Sequence, residues 1–210
     1  MAQNVSALLK AWLFHVEVAA WLLALGLAIA AETRWAVAIA LLAFGADVAG
    51  RLWSRQSPVP MPYFMRWILL VPRGPHSPAR LRQLLQAHGG ERILEIGPGV
   101  GVHAIPIAAA LQPNGALDVL DVQQEMLDDL MARAARRGVG NIVPRRGDAQ
   151  RLPYANASFD AAYLVSVLGE IPDARSALRE LAGDAGFVFE RQFGPPVAYS
   201  ALLRPIAPAA

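Results

Sequence analysis

Residues 92–105 read RILEIGPGVGVHAI: an apolar run ending in an acid, three glycines on alternate positions, then a segment of helical composition. A buried-type strand that turns through Gly97, Gly99 and Gly101 straight into a helix opens a βαβ unit. Glycines at such a turn let backbone amides come close to a nucleotide-like ligand. Spacing removes two of the common ligands. A dinucleotide fingerprint needs a glycine at position 102, which is valine here, and a P-loop needs a G-K-[ST] that does not follow.

The residues after the turn keep the same alternation. Strands are predicted over 92–97, 116–122, 141–148 and 159–169, and helices over 79–90, 102–112 (despite Pro106), 123–138 and 173–183. Strand and helix in strict alternation predict right-handed crossovers and a mostly parallel, doubly wound α/β sheet, with its ligand at the carboxyl ends of the strands. Two acids stand at those ends. Asp121 closes the second strand, 20 residues past Gly101, where a carboxylate can accept both hydroxyls of a ribose. Asp148 closes the third, where it can receive an exocyclic amine. Either alone reads as an ordinary strand-end acid. With the glycine turn they form a constellation.

LEIGPGVG (94–101), LDVQQEML (120–127) and GDAQRLPYANASFDAAYLVSVLGEIPD (147–173) together resemble the class I S-adenosylmethionine-dependent methyltransferases. They are most similar to the branch that holds the ubiquinone and menaquinone biosynthesis methyltransferases. The resemblance implies a Rossmann-like fold and S-adenosylmethionine as cofactor. It implies that Glu95, Gly97, Gly99 and Gly101 shape the methionine side of the pocket, that Asp121 with Val122 takes the ribose, and that Met126 packs on the adenine. Asp148 and Ala149 would hold the adenine edge, with Ser166 on the cofactor side at the end of the fourth strand. The chemistry needs little beyond alignment and desolvation, with a base only where the acceptor must lose a proton. Glu170 is the acid nearest the expected reacting centre and the candidate base. Ser166 and His103 are weaker candidates, and His76 could belong to a lid. No metal site is expected.

The resemblance stops near residue 180. Relatives continue into a fifth strand, a further helix and a closing hairpin, whereas here GFVFERQFG (186–194) and VAYSALLRP (197–205) follow almost at once. The expectation is a shortened sheet in which 186–193 pairs beside the fourth strand and 197–203 returns antiparallel. Loss of that segment admits an alternative function: a weakly active or non-catalytic fold serving as a cofactor-binding or interaction module.

The first fifty-five residues have a different composition. Hydrophobic residues make up 55% of the chain and charged ones 17%, below the quarter usual for soluble domains, and the apolar excess is at this end. Residues 12–31 contain His15 and Glu17 as their strongly polar members, and 35–50 contain Asp47. Two apolar runs separated by ETR predict a transmembrane helical hairpin over 1–55. A proline-rich interfacial linker (56–78) and the methyltransferase domain (79–210) then follow. Arg51, Arg55, Arg66 and Arg73 come after the second run, which places the domain on the cytoplasmic side of an inner membrane. The expected partners are the bilayer and a small-molecule or lipid acceptor. A net charge of +2 gives no reason to expect nucleic acid, and the absence of cysteine excludes disulfides and thiolate chemistry.

Overall fold

The computed structural model describes residues 15–16, 18–25, 35, 37–45, 58–70, 77–86, 89–184, 187–193 and 200–205. The chain divides into two compact units, Met1–Met65 and Arg66–Ala210, and the division falls inside the proline-rich stretch.

In the first unit, residues 18–25 and 37–45 are helical. Their burial is the reverse of a soluble helix pair: Ala24 and Ala43 are buried at 5% and 1% exposure, while Leu22, Leu41 and Leu42 are 65%, 66% and 72% exposed. Small side chains are covered and large apolar ones are open. Among the described residues no helix is long and apolar enough to cross a membrane, so the expected pair of spans is not borne out there. Much of 12–31 and 35–50 lies outside the described residues, as do Glu17, Asp47, Arg51, Arg55 and Arg73. His15, one of the polar residues of the first run, stacks on Phe64, with ring centroids 6.4 Å apart.

The second unit is an α/β sandwich. Its strands are β1 (Arg92–Ile96), β2 (Ala116–Asp121), β3 (Ile142–Arg146), β4 (Ala161–Val165), β5 (Phe187–Phe193) and β6 (Ser200–Pro205), in the order β3-β2-β1-β4-β6-β5. β1 to β4 run parallel. Their central members are largely apolar because both faces are covered, with Glu95 and Asp118 as the buried acids. The helices are α1 (Pro78–Leu85), α2 (Ala104–Leu111), α3 (Gln124–Ala135) and the short α4 (Ala174–Arg179), which runs on into a π turn over Glu180–Asp184. Ser77 caps α1 by accepting from the Arg80 amide, with Pro78 at the first helical position, where its missing N–H is no loss. Pro106 is tolerated in α2 for the same reason, since it falls in the first turn.

Side chains alternate between two cores. Ile93, Leu117, Val119 and Tyr163 pack with α1, α2 and α3 on one face. Leu94, Leu120, Ala162 and Leu164 pack with Phe159, Leu181 and Phe187 on the other. A 3-10 helix over Tyr63–Leu70 replaces the continuous helix that the surrounding prolines forbid. Its second half runs beside α3, where the Arg66 guanidinium meets Asp129 at 3.2 Å.

One expectation is corrected. The strand beside β4 is not 187–193 but β6, antiparallel to it with Ala162 opposite Leu203 and Val165 opposite Ser200, and β5 forms the outer edge. Composition explains the order. An interior strand is buried on both faces, and Ala201, Leu202 and Leu203 are all within 2% of full burial. β5 carries Glu190 and an open Val188, which suits an edge. Glu190 accepts from Arg204 Nε at 3.0 Å, and the same guanidinium reaches the Leu85 carbonyl at the end of α1.

Candidate functional site

Parallel pairing brings the ends of β1, β2 and β3 side by side. The Gly97 amide donates to the Leu120 carbonyl and the Gly147 amide to the Asp121 carbonyl, both at 2.9 Å. The ladders therefore continue one step beyond each strand and set the glycine turn next to Asp121, and Asp121 next to the GDA segment. All three glycines have positive φ, at 65°, 52° and 80° for Gly97, Gly99 and Gly101. At Gly97 a Cβ would also lie 2.3 Å from Val167 Cγ2, and at Gly99 one would lie 2.7 Å from Leu69 Cδ1. Glycine is needed there twice over, for the backbone conformation and for space. The Gly101 carbonyl then accepts from the Ile105 amide at 3.1 Å and starts α2.

Glu95 lies beneath this turn, 2% exposed. Its Oε2 accepts from the Tyr163 hydroxyl at 2.7 Å, a pair that follows from the register placing Glu95 opposite Tyr163 across β1 and β4. Burial raises the carboxyl to about 8, against the pull of the Tyr163 bond and with a further push from Asp121. At neutral pH it mostly keeps its proton, and an arriving cation would favour its ionisation. The phenol is pushed up too, by burial and by the carboxyl beside it. Tyr163 was missed in the sequence because it sits in a strand otherwise made of Ala, Leu and Val. A polar-tipped aromatic on a buried strand was the available signal, but its partner is visible only once the register is known.

Asp121 accepts from the Gln123 amide at 3.0 Å. Burial raises its carboxyl, while the amides of Gln123, Gly99 and Val122 pull it back. The Gly99 amide thus ties the glycine turn to the end of β2. Val122 is exposed. Met126, on the first turn of α3, is 2% exposed and belongs to the helix's buried face. Asp148 is exposed and folds onto Gln150, accepting from its amide at 2.9 Å and from its side-chain nitrogen, with Ala149 buried beside it.

At the end of β4, Ser166 has φ 58°, a conformation unusual for a residue with a side chain, and its Oγ is buried without a partner. Strain and an orphaned hydroxyl at a strand end are the marks of a site held ready for a ligand. Glu170 closes a 3-10 turn over Leu168–Glu170, its amide donating to the Val167 carbonyl at 2.8 Å. His103 is the residue before α2 and makes no side-chain cap. His76 lies outside the described residues. Among the described residues no cluster of acids and histidines could hold a metal ion.

A turn of positive-φ glycines at the strand ends, an acid on each of the first two strands and an unsatisfied hydroxyl just past β4 suit a nucleoside-type cofactor with a cationic end. The arrangement is that of an α/β domain with a candidate cofactor site at the carboxyl ends of β1 to β4. Comparison with known proteins narrows it. Residues 93–183 match the family model described as "Methyltransferase domain". A demethylmenaquinone methyltransferase of Geobacillus kaustophilus is 33% identical over 92 residues, covering 44% of this chain and 39% of that protein. A protein-L-isoaspartate O-methyltransferase of Rhodopseudomonas palustris is 30% identical over 109 residues, covering 52% and 43%. The YcgJ protein of Bacillus subtilis, of known structure, is 27% identical over 52% of this chain and 45% of its own, with a TM-score of 0.48. The matched segment is thus similar to methyltransferase domains. The chain spans about two fifths of the length of these curated relatives.

Proposed function

We propose that the chain is an S-adenosylmethionine-dependent methyltransferase acting on a hydrophobic acceptor held at or in a membrane. The observation that carries the cofactor half is the alignment of Gly97–Gly101, Asp121 and Asp148 at three neighbouring strand ends. When bound, the cofactor supplies a methyl group already activated on a sulfonium. The chain would supply the holding groups: the glycine turn, shaped to admit the ligand, and Glu95 toward the methionine end, Asp121 and Val122 toward the ribose, and Asp148 and Ala149 toward the base. Met126 supports the same end from within α3. Ser166 and Glu170 stand at the end of β4, where an acceptor would meet the cofactor, and Glu170 is the group available to take a proton.

The acceptor half rests on two supports. Several relatives with the same domain carry the name demethylmenaquinone methyltransferase, which favours a quinone-type ring. The exposed apolar residues of 18–25 and 37–45 favour attachment of the N-terminal unit to a bilayer. Arginines after the second apolar run favour a cytoplasmic domain at the inner membrane. A tether would raise the effective concentration of a lipid-phase acceptor. A second reading, a cofactor-binding module without turnover, is favoured by the closing hairpin lying directly against β4, where longer sheets have more wall. Transfer of labelled methyl from the cofactor into a membrane lipid extract decides between them. Label in a quinone-type lipid is the expected result. Binding of the cofactor with no labelled product would favour the module.

A further inference from the structure

Away from the strand ends, a cavity of about 560 Å³ opens between α2, α3 and the end of the 3-10 helix. Leu70, Val102, Ile105, Pro106 and Val139 give it an apolar lining, and Arg133 and Arg137 stand on its α3 side. Arg66 of the 3-10 helix pairs with Asp129 of α3 at 3.2 Å. Arg133, one turn further along α3, and Arg137, just past its end, follow Asp129 at four-residue spacing and are cations. Neither has a described carboxylate partner, and Arg133 Nε is buried with no acceptor among the described residues. An arginine in a helix's last turn often does no more than complement the helix dipole, but that leaves a buried, unsatisfied guanidinium nitrogen beside an apolar cavity without explanation. The walls hold no compensating acid. α2 carries no charged residue, and between Leu130 and Gly147 the chain has five arginines and no Asp or Glu. Trp67 and Leu70 are about half exposed at the same end of the 3-10 helix, as residues at a membrane interface are.

We infer that this cavity binds an anionic phospholipid of the bilayer surface, the phosphodiester on Arg133 and Arg137 and the start of an acyl chain among Leu70, Val102, Ile105 and Val139. Planar guanidinium groups match phosphate oxygens two at a time, and an apolar lining adds the part of the ligand that a free phosphate lacks. The site shares no residue with the candidate cofactor site, although Val102 and Ile105 of its lining adjoin the glycine turn, and its binding does not depend on methyl transfer. It would give the domain its own hold on an anionic membrane face.

The test is calorimetric titration of the full chain, purified in a neutral maltoside detergent. Three ligands are compared: dihexanoylphosphatidylglycerol, dihexanoylphosphatidylcholine and inorganic phosphate. The phosphatidylglycerol should bind at least about tenfold more tightly than either of the others. Arg133→Gln with Arg137→Gln should weaken it by about 30-fold, about fivefold per lost cation, with S-adenosylhomocysteine binding unchanged. Leu70→Ser should weaken the phospholipid and leave phosphate alone, which keeps the test decisive should the double variant not fold. Equal affinity for both lipids, an undiminished double variant, or phosphate binding as tightly as the lipid would each overturn the assignment. Loss of lipid binding with intact S-adenosylhomocysteine binding separates this site from the cofactor reading, and the reverse result would count against the latter alone.

Discussion

The two halves of the sheet follow different rules. On the β3-β2-β1 side every strand is parallel and every crossover is a helix, so each strand end is fixed by the same geometry and points its residues to one place. On the β4-β6-β5 side α4 carries the chain from β4 past one strand position to the outer β5, parallel to β4, and β6 returns antiparallel between them. The first half carries most of the candidate cofactor residues, from Glu95 and the glycine turn to Asp121 and Asp148, at strand ends or in the turns directly after them. Met126 on α3 and Ser166 past β4 are the exceptions. The second half closes the fold, and its order was set by which strand could tolerate burial on both faces. A βαβ repeat specifies a site almost as directly as it specifies a fold, whereas a terminal hairpin specifies only an alternation that either of its strands could satisfy.

The strongest way to break this contrast is at the glycine turn. Gly97→Ala puts a Cβ against Val167 in a positive-φ conformation, and should cost about 3 kcal/mol or more with loss of cofactor binding. Adding Val167→Ala should recover part of the stability, since it relieves the contact but not the φ. Denaturant melts of the single and double variants check this, and a single variant as stable as the parent would show that the turn is not held as described.

Next comes the order of the hairpin. Leu202→Ala on β6 should cost about 2–5 kcal/mol, whereas Val188→Ala, on the edge strand and 47% exposed, should change stability by less than about 0.5 kcal/mol. If 187–193 were the interior strand, these two values would change places.

A smaller effect should follow pH. The folded carboxyl of Glu95 sits at about 8 against an ordinary value of 4.5, so between these values the folded state holds a proton that the unfolded state releases. Stability associated with this group is complete below about pH 4.5 and is lost as pH rises toward 8, by an amount on the order of a few kcal/mol. Glu95→Gln keeps an acceptor for Tyr163 and cannot ionise. Its melting temperature should fall less than the parent's between pH 5 and 8, and parallel curves for the two proteins would remove Glu95 as the titrating group.

The same contrast explains what could be read before the fold was known. The four parallel strands, α1 to α3 and the run from Glu95 to Gly101 were legible because periodicity, glycine spacing and strand-end acids are local properties. Tyr163 was not, because its meaning depends on standing opposite Glu95 in the adjacent strand. Val167 and Leu69, which pack against the glycines, were hidden for the same reason. The hairpin order was misread because both 187–193 and 200–205 have strand composition, and the choice between them depends on what β4 needs as a neighbour. Ser166 was legible as a strand-end residue, but its positive φ and unsatisfied hydroxyl were not.

The central claim is that the ends of β1 to β3 hold an adenosyl cofactor through Asp121. Calorimetry of the full chain with S-adenosylhomocysteine tests it most directly. Saturable one-to-one binding that Asp121→Ala weakens by about tenfold or more, without loss of folded stability, is the expected result. No binding, or binding that Asp121→Ala leaves unchanged, would contradict it.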